Sequence, residues 1–258
     1  MRVQEAQHRH VSRLTFAAFL LTAGVAWLTP LAFSGFRADQ ALSRFWLLLS
    51  DSGTHLGIGP MLLLASGLVA ARQVTLRDRV RKSVLFFSMV SVITVAFAAF
   101  NEFATKPLAG VPRPFVKRLA HEGLLTAKEF YALPSRSQRS AFLEKTLETH
   151  QDNSLVKSLH PDISKHWISM TGFSFPSGHS LVAFLIAVNL AFLVEHLVPR
   201  GRWFSWIPLL WASGVCLSRM ALGVHSALDI TVGALLGGIT SCLMIWSGLL
   251  NRVIPRAD

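Results

Sequence analysis

Apolar residues recur in this chain in runs long enough to cross a lipid bilayer, and no other feature narrows the possible folds so far. A helix needs about 20 mainly apolar residues to span the hydrocarbon core. Six segments meet or nearly meet that length: residues 14–33, 54–71, 83–104, 180–198, 203–222 and 227–250. The balance of residue types agrees, with 52% hydrophobic and 15% charged, against about 25% charged in a typical soluble domain. The expected fold is all-α, a polytopic membrane protein with six transmembrane helices forming one domain over residues 1–258. The second run, HLGIGPMLLLASGLVAA, is short and glycine-rich. Gly57, Gly59 and Gly67 are expected to let helices approach closely there.

The net charge of +11 raises the question of a nucleic-acid partner. The basic residues fall mostly between the apolar runs, which fits membrane topology and an anionic lipid surface instead. Arg2, Arg9 and Arg13 precede the first run, RQVTLRDRVRK follows the second, Arg200 and Arg202 follow the fourth, and Arg252 and Arg256 end the chain. Threading six helices puts all of these on one side, expected to be the cytoplasm of a bacterial inner membrane, with both termini there. The first loop is charge-balanced through Arg37, Asp39, Arg44 and Asp51. The first run has an alternative reading as a cleaved signal peptide, with basic residues before it and LAFS after it. Cys216 and Cys242 both lie inside apolar runs, so neither a disulfide framework nor a C-x-x-C site is available.

The third loop, residues 105–175, is the one sizeable extramembrane insertion and is expected on the outer, periplasmic side. TAKEFYALPSRSQRSAFLEKTLETHQ reads as one or two amphipathic helices broken at Pro134. Phe130, Tyr131, Leu133, Phe142, Leu143 and Leu147 are expected to form their apolar side.

Three islands of polar chemistry stand at the ends of the apolar runs. KPLAGVPRP carries Lys106 and Arg113, PSGH runs from Pro176 to His179, and SRMALGVHSALD carries Ser218, Arg219, His225 and Asp229. Six helices place all three islands on the same outer face. Singly, each residue has a bland reading: a cap for His179, interfacial snorkelling for Lys106 or Arg113, a structural pair between Asp229 and Arg219. Together they make a phosphate cradle. Lys106, Arg113 and Arg219 are cations, and arginine presents a planar fork that matches phosphate oxygens. Ser177 and Gly178 lead into a helix, whose first N–H groups bind anions. His179 stands at the edge as a nucleophile. His225 is a second imidazole, and Asp229, four residues on, is expected to share its helical face and fix its tautomer. Two histidines and one aspartate among three cations make a poor divalent-metal site, so neither metal nor cofactor is expected.

At these residues the sequence resembles the type 2 phosphatidic acid phosphatase (PAP2) superfamily. K-x6-R-P matches Lys106 to Arg113-Pro114, P-S-G-H matches residues 176–179, and S-R-x5-H-x3-D matches Ser218-Arg219, His225 and Asp229. RPFV, EFYAL and HW…TGFSFPSGH are further similar to its bacterial phosphatidylglycerophosphatase B group. The resemblance implies a metal-independent phosphatase acting on phosphatidylglycerophosphate, undecaprenyl diphosphate or related membrane lipid phosphates, with no obligate protein partner. It implies that His179 forms a phosphohistidine, that His225 with Asp229 protonates the leaving group and activates water, and that Lys106, Arg113, Ser177, Gly178 and Arg219 hold the phosphoryl oxygens. Phe115, Lys117 and Trp167 are expected at the entrance. A lipid phosphotransferase, passing the phosphoryl group to an acceptor hydroxyl, is the alternative. Peroxidase chemistry on a vanadate in a related cradle, and a non-enzymatic lipid-binding role, fit the apolar runs or the paired imidazoles less well.

Overall fold

The computed structural model describes residues 2–35 and 40–255. Arg37, Asp39 and Arg256, counted above in the first loop and the tail, lie outside those residues, as does the side chain of Arg2. The described residues form helices and loops. In chain order the α-helices are α1 (Arg2–Leu28), α2 (Gln40–Ser52), α3 (His55–Ala71), α4 (Leu76–Phe100), α5 (Lys106–Ala109), α6 (Pro114–His121), α7 (Ala127–Ala132), α8 (Arg136–Thr149), α9 (Ser154–Ser158), α10 (Pro161–Ser169), α11 (Gly178–Leu197), α12 (Ile207–Ala221) and α13 (Ala227–Trp246).

The apolar runs become helices, with three departures from expectation. First, the loop between the first two runs contains α2, so Arg44 and Asp51 stand on a helix. Second, α4 begins at Leu76, inside the basic stretch expected to be loop. Thr75 caps it, its Oγ1 accepting from the Asp78 N–H at 3.1 Å, so basic residues occupy the helix's first turns. Third, the fifth run does not make a full span. Gly201–Trp203 forms a separate 3₁₀ turn, and α12 has 15 residues, about 22 Å of helix against a hydrocarbon core of about 30 Å. Among the described residues four helices are long and apolar enough to cross a membrane, or five if α2 and α3, bent by 53° at their junction, are counted as one span.

α11 is the hub of the bundle, and α1, α3, α4, α12 and α13 all pack against it. Phe184, Ile186 and Phe192 are fully enclosed there. The outer faces of α1, α3 and α4 expose Leu20, Leu21, Leu63, Leu64, Val92 and Val95. Contiguous apolar exposure on that scale is foreign to a water-soluble surface and natural to one facing lipid. The tightest seam runs between α11 and α13. A β-carbon at Gly233 would strike the Ser177 carbonyl, and one at Gly237 the Leu181 carbonyl. The glycines named from the sequence divide. Gly57 lies against the Ser52 carbonyl at the α2–α3 bend, while Gly59 and Gly67 have nothing within 4 Å of an added β-carbon.

The insertion is more helical than expected, running from α6 to α10, but it breaks at Pro134 as the sequence suggests. Ser135 caps α8 in a reciprocal box with Gln138. Of the expected apolar side, Phe130, Leu143 and Leu147 are buried, and Tyr131, Leu133 and Phe142 are partly so. These helices enclose a core of their own that also takes in Leu222 and Val224, from the turn joining α12 to α13. Phe115 and Trp167 are at its centre, stacked at 4.9 Å, with the Trp167 indole N–H donating to the Leu222 carbonyl at 2.8 Å. They line no entrance, contrary to expectation, because large aromatic rings are worth most inside the only core these short helices share. Lys117 points to the surface. The insertion is thereby clamped onto the turn that carries the third polar island.

Candidate active site

The three islands converge where α11 begins. Ser177 caps the helix, its Oγ accepting from the Ser180 N–H at 3.3 Å. Its own N–H donates to the Asp229 carbonyl at 3.0 Å. Ser177 therefore ties α11 to α13 through its N–H, while its hydroxyl, which accepts from the Ser180 N–H and hydroxyl, keeps its own proton to offer an anion. Gly178 and His179 follow in the first turn, where backbone N–H groups have no intrahelical acceptor. His179 is partly buried, and its Nε2 is enclosed with no hydrogen-bond partner.

His179 lines one end of a groove of about 510 Å³ between α3 and α4. Gly178, Asn101 and Glu102 share that end, and Ile58, Leu62, Phe87 and Val95 line the apolar length. Asn101 opens a π-helical turn, Asn101–Thr105, that continues α4, and its Nδ2 donates to the Pro176 carbonyl at 3.3 Å. The wider turn re-aims the chain so that Lys106 starts α5 inside the site. Lys106 Nζ lies 2.8 Å from Glu102 Oε2, and Glu102 also pairs with Arg136 of α8.

The two arginines are held by uncharged groups. Arg113 donates from Nε to the Gly172 carbonyl at 2.9 Å and from Nη1 to the Val224 carbonyl at 3.0 Å and His225 Nε2 at 3.2 Å. Its backbone N–H donates to the Tyr131 hydroxyl at 3.0 Å. Arg219 donates from Nη1 to Ser50 Oγ and to His166 Nε2 at 3.2 Å, and from Nη2 to Met170 Sδ at 3.5 Å; its Nε is unpartnered. Two buried guanidiniums, neither bonded to a carboxylate among the described residues, form a site that favours an anion.

Gly223 turns the chain from α12 to α13 in the left-handed region, at φ 70°. That brings the His225 N–H back to the Arg219 carbonyl at 3.1 Å. His225 precedes Ser226, the cap of α13, so it does not share a helical face with Asp229 as the spacing suggests. Asp229 instead reaches back as the third residue of a capping box, Oδ2 accepting from the Ser226 N–H at 2.7 Å. His225 Nδ1 is 3.5 Å from that oxygen, beyond a good hydrogen bond. Ser174 bridges the gap, with Oγ 3.3 Å from His225 Nδ1 and bonded to Asp229 Oδ2. Arg113 is obliged to donate to Nε2, so the ring proton is on Nδ1, facing Ser174. Burial first, then Arg113, Arg219 and Lys106, hold His225 well below the ordinary imidazole range.

Sequence reasoning missed Ser174, Glu102, Asn101, Tyr131 and His166. Glu102 left a signal, four residues before Lys106 with the favourable order of charges. Tyr131, His166 and Ser174 fall in EFYAL, HW and TGFSFPSGH, which mark the resemblance without marking their roles, and Asn101 meets the site only through the folded chain.

This constellation has relatives. Residues 83–252, which hold all three islands, match the PAP2 superfamily. The chain belongs to the PAP2 superfamily. Among PAP2 relatives it is similar to phosphatidylglycerophosphatase B of Escherichia coli (strain K12), 30% identical over 175 residues, 66% of this chain and 63% of the relative. The alignment thus spans less than two thirds of that protein. Phosphatidylglycerophosphatase B of Haemophilus influenzae is 24% identical over 203 residues, 78% of this chain and 80% of the relative. The undecaprenyl-diphosphatase of Sulfolobus acidocaldarius is 36% identical over 75 residues, 29% of this chain and 34% of the relative.

Proposed function

We propose that this PAP2 protein is a lipid phosphate phosphatase that works through a phosphohistidine on His179. One observation carries the proposal: an apolar groove ends beside His179, whose enclosed Nε2 has no hydrogen-bond partner. A lipid tail fits the groove and its phosphate fits the end, beside guanidiniums that neutral groups hold in place.

His179 Nε2 attacks phosphorus, an N–P bond forms and the bond to the leaving oxygen breaks. His225 delivers a proton to that oxygen. The free site keeps His225 neutral, and an incoming phosphate anion reverses the balance by favouring the imidazolium. The neutral His225 then takes a proton from water as the water attacks phosphorus. The N–P bond breaks, inorganic phosphate departs and His179 is restored. Arg113, Arg219, Lys106 and the Gly178 and His179 N–H groups stabilise the transferring oxygens, once Lys106 leaves Glu102 for the phosphate. Asp229, through Ser174, orients His225. No step calls on a metal.

The relatives' names favour phosphatidylglycerophosphate and undecaprenyl diphosphate as substrates. The site faces the periplasm of a bacterial inner membrane, the termini face the cytoplasm, and residues 105–175 form an extramembrane cap within a single domain. The test is phosphate release by purified protein in detergent from a panel of lipid phosphates, with EDTA present. Release from at least one lipid, abolished in a folded His179→Ala protein, is expected. No release from any lipid, or unchanged release by His179→Ala, contradicts the proposal; transfer to an added alcohol in place of release identifies a phosphotransferase.

A further inference from the structure

We infer that His166 is a positioning residue of the phosphate site, using its Nε2 lone pair to hold the Arg219 guanidinium beside His179. The inference rests on Arg219 binding phosphate, as proposed above.

His166 belongs to α10 of the insertion, and its Nε2 is 3.2 Å from Arg219 Nη1. A guanidinium only donates, so this nitrogen must present a lone pair and the ring proton must be on Nδ1. Three residues from two elements thereby converge on one buried cation: Ser50 from α2, His166 from α10 and Met170 at the end of α10. Thioether sulfur is a weak acceptor, which leaves Ser50 and His166 as the strong ones. Arg219 and His166 are both electrostatic neighbours of His179, so a shift of the guanidinium is felt at the reacting nitrogen. The contact also links the extramembrane cap directly to the chemistry.

His166 has a second exposure. It lines an open cleft of about 660 Å³, shared with Arg44, Leu47, Leu48 and Asp51 of α2 and Asp162 and Lys165 of its own helix. Water in the cleft gives it a route to protons. Burial, then Arg219 and Arg113, keep it well below the ordinary imidazole range. Its charged and titratable surroundings are therefore Arg219 of α12, Arg113, His179 of α11, Arg44, Asp51, Asp162 and Lys165. Protonation removes the lone pair and sets two cations side by side, so substrate affinity should fall toward acid pH.

Size-matched substitutions separate hydrogen bonding from packing. His166→Met fills the space without a strong acceptor, and His166→Gln restores one through its amide oxygen. KM and kcat for a dispersed phosphatidic acid and the inhibition constant of orthovanadate are measured in detergent, with melting temperature as the check on folding. His166→Met should raise KM and the vanadate constant about tenfold or more, as for a lost hydrogen bond to a charged group. His166→Gln should stay within about threefold of the wild type by restoring the acceptor, and should lack the wild-type rise in KM at acid pH. A Gln variant as impaired as the Met variant, or a Met variant like the wild type, overturns the inference. Should His166→Met fail to fold, the Gln pH profile decides, and persistence of the acid rise in KM overturns it. Arg219→Ala tells the two levels apart. If that variant binds vanadate normally, Arg219 has no place in the phosphate site and the underlying proposal fails there; if it is impaired while His166→Met is not, this inference alone falls.

Discussion

The pairing of His225 with Asp229 is written in the sequence as a spacing, but the structure supplies a third member. Ser174 stands between them, and the direct separation of 3.5 Å leaves it to relay the orientation. Removing its hydroxyl should free the imidazole to turn while leaving phosphate contacts intact. Ser174→Ala should lower kcat about tenfold, in line with one buried hydrogen bond, with KM little changed; a KM effect alone would place Ser174 in binding. The histidines also make a prediction about stability. His166 and His225 are both held below the ordinary imidazole range. Below about pH 6.5 the unfolded chain takes up protons that these sites refuse. Their contribution is thus complete above that pH and is lost as pH falls toward their folded values. The melting temperature in detergent should drop on acidification below about pH 6.5, and less steeply in a His166→Gln, His225→Asn double variant. Motif residues were legible because each motif is local in the chain. Ser174 was not, since its role exists only where the segment before PSGH crosses the start of α13.

Elements position these residues, and the seam between α11 and α13 is the most demanding. Gly233 faces the Ser177 carbonyl, two residues from His179, and Gly237 faces that of Leu181. An added methyl at either must push the helices apart, typically at a cost of about 1–3 kcal/mol. Gly233→Ala should therefore lower both melting temperature and turnover, whereas Gly67→Ala, with open space around it and away from the groove, should leave turnover unchanged and so serve as the control. Equal tolerance at both positions would mean the seam does not set the site. The sequence drew attention to the glycines of α3 because they cluster, yet crowding depends on what lies opposite. The same limit explains α2 and α12. Apolar runs announce helices, but only packing decides that one is a short arm bent against α3 and another begins only at Ile207, after a 3₁₀ turn and beside Pro208. Phe115 and Trp167 were misplaced for a related reason: an aromatic residue in a loop reads as entrance lining until the loop proves to have its own core.

At the scale of the whole molecule, a lipid-facing bundle carries a groove to a polar site, and a helical cap closes over it. Basic residues gathered by the even-numbered loops and the termini support the proposed placement of that cap outside the cytoplasm. Cysteines introduced near Arg77 should be shielded from an impermeant thiol reagent in intact cells, while those near Ser140 should be labelled; the reverse pattern would turn the site inward. The central claim is that the groove delivers a lipid's phosphorus to His179. The most direct test is to mix a lipid phosphate carrying radioactive phosphorus with His225→Ala protein, which should form the phosphoenzyme and hydrolyse it slowly. Using a substrate with a good leaving group spares the first step the missing acid. Label should accumulate on the peptide containing His179, be stable to base and labile to acid, and be absent from His225→Ala protein that also carries His179→Gln. Label that survives His179→Gln, or none on His179 while phosphate is still released, would contradict the claim.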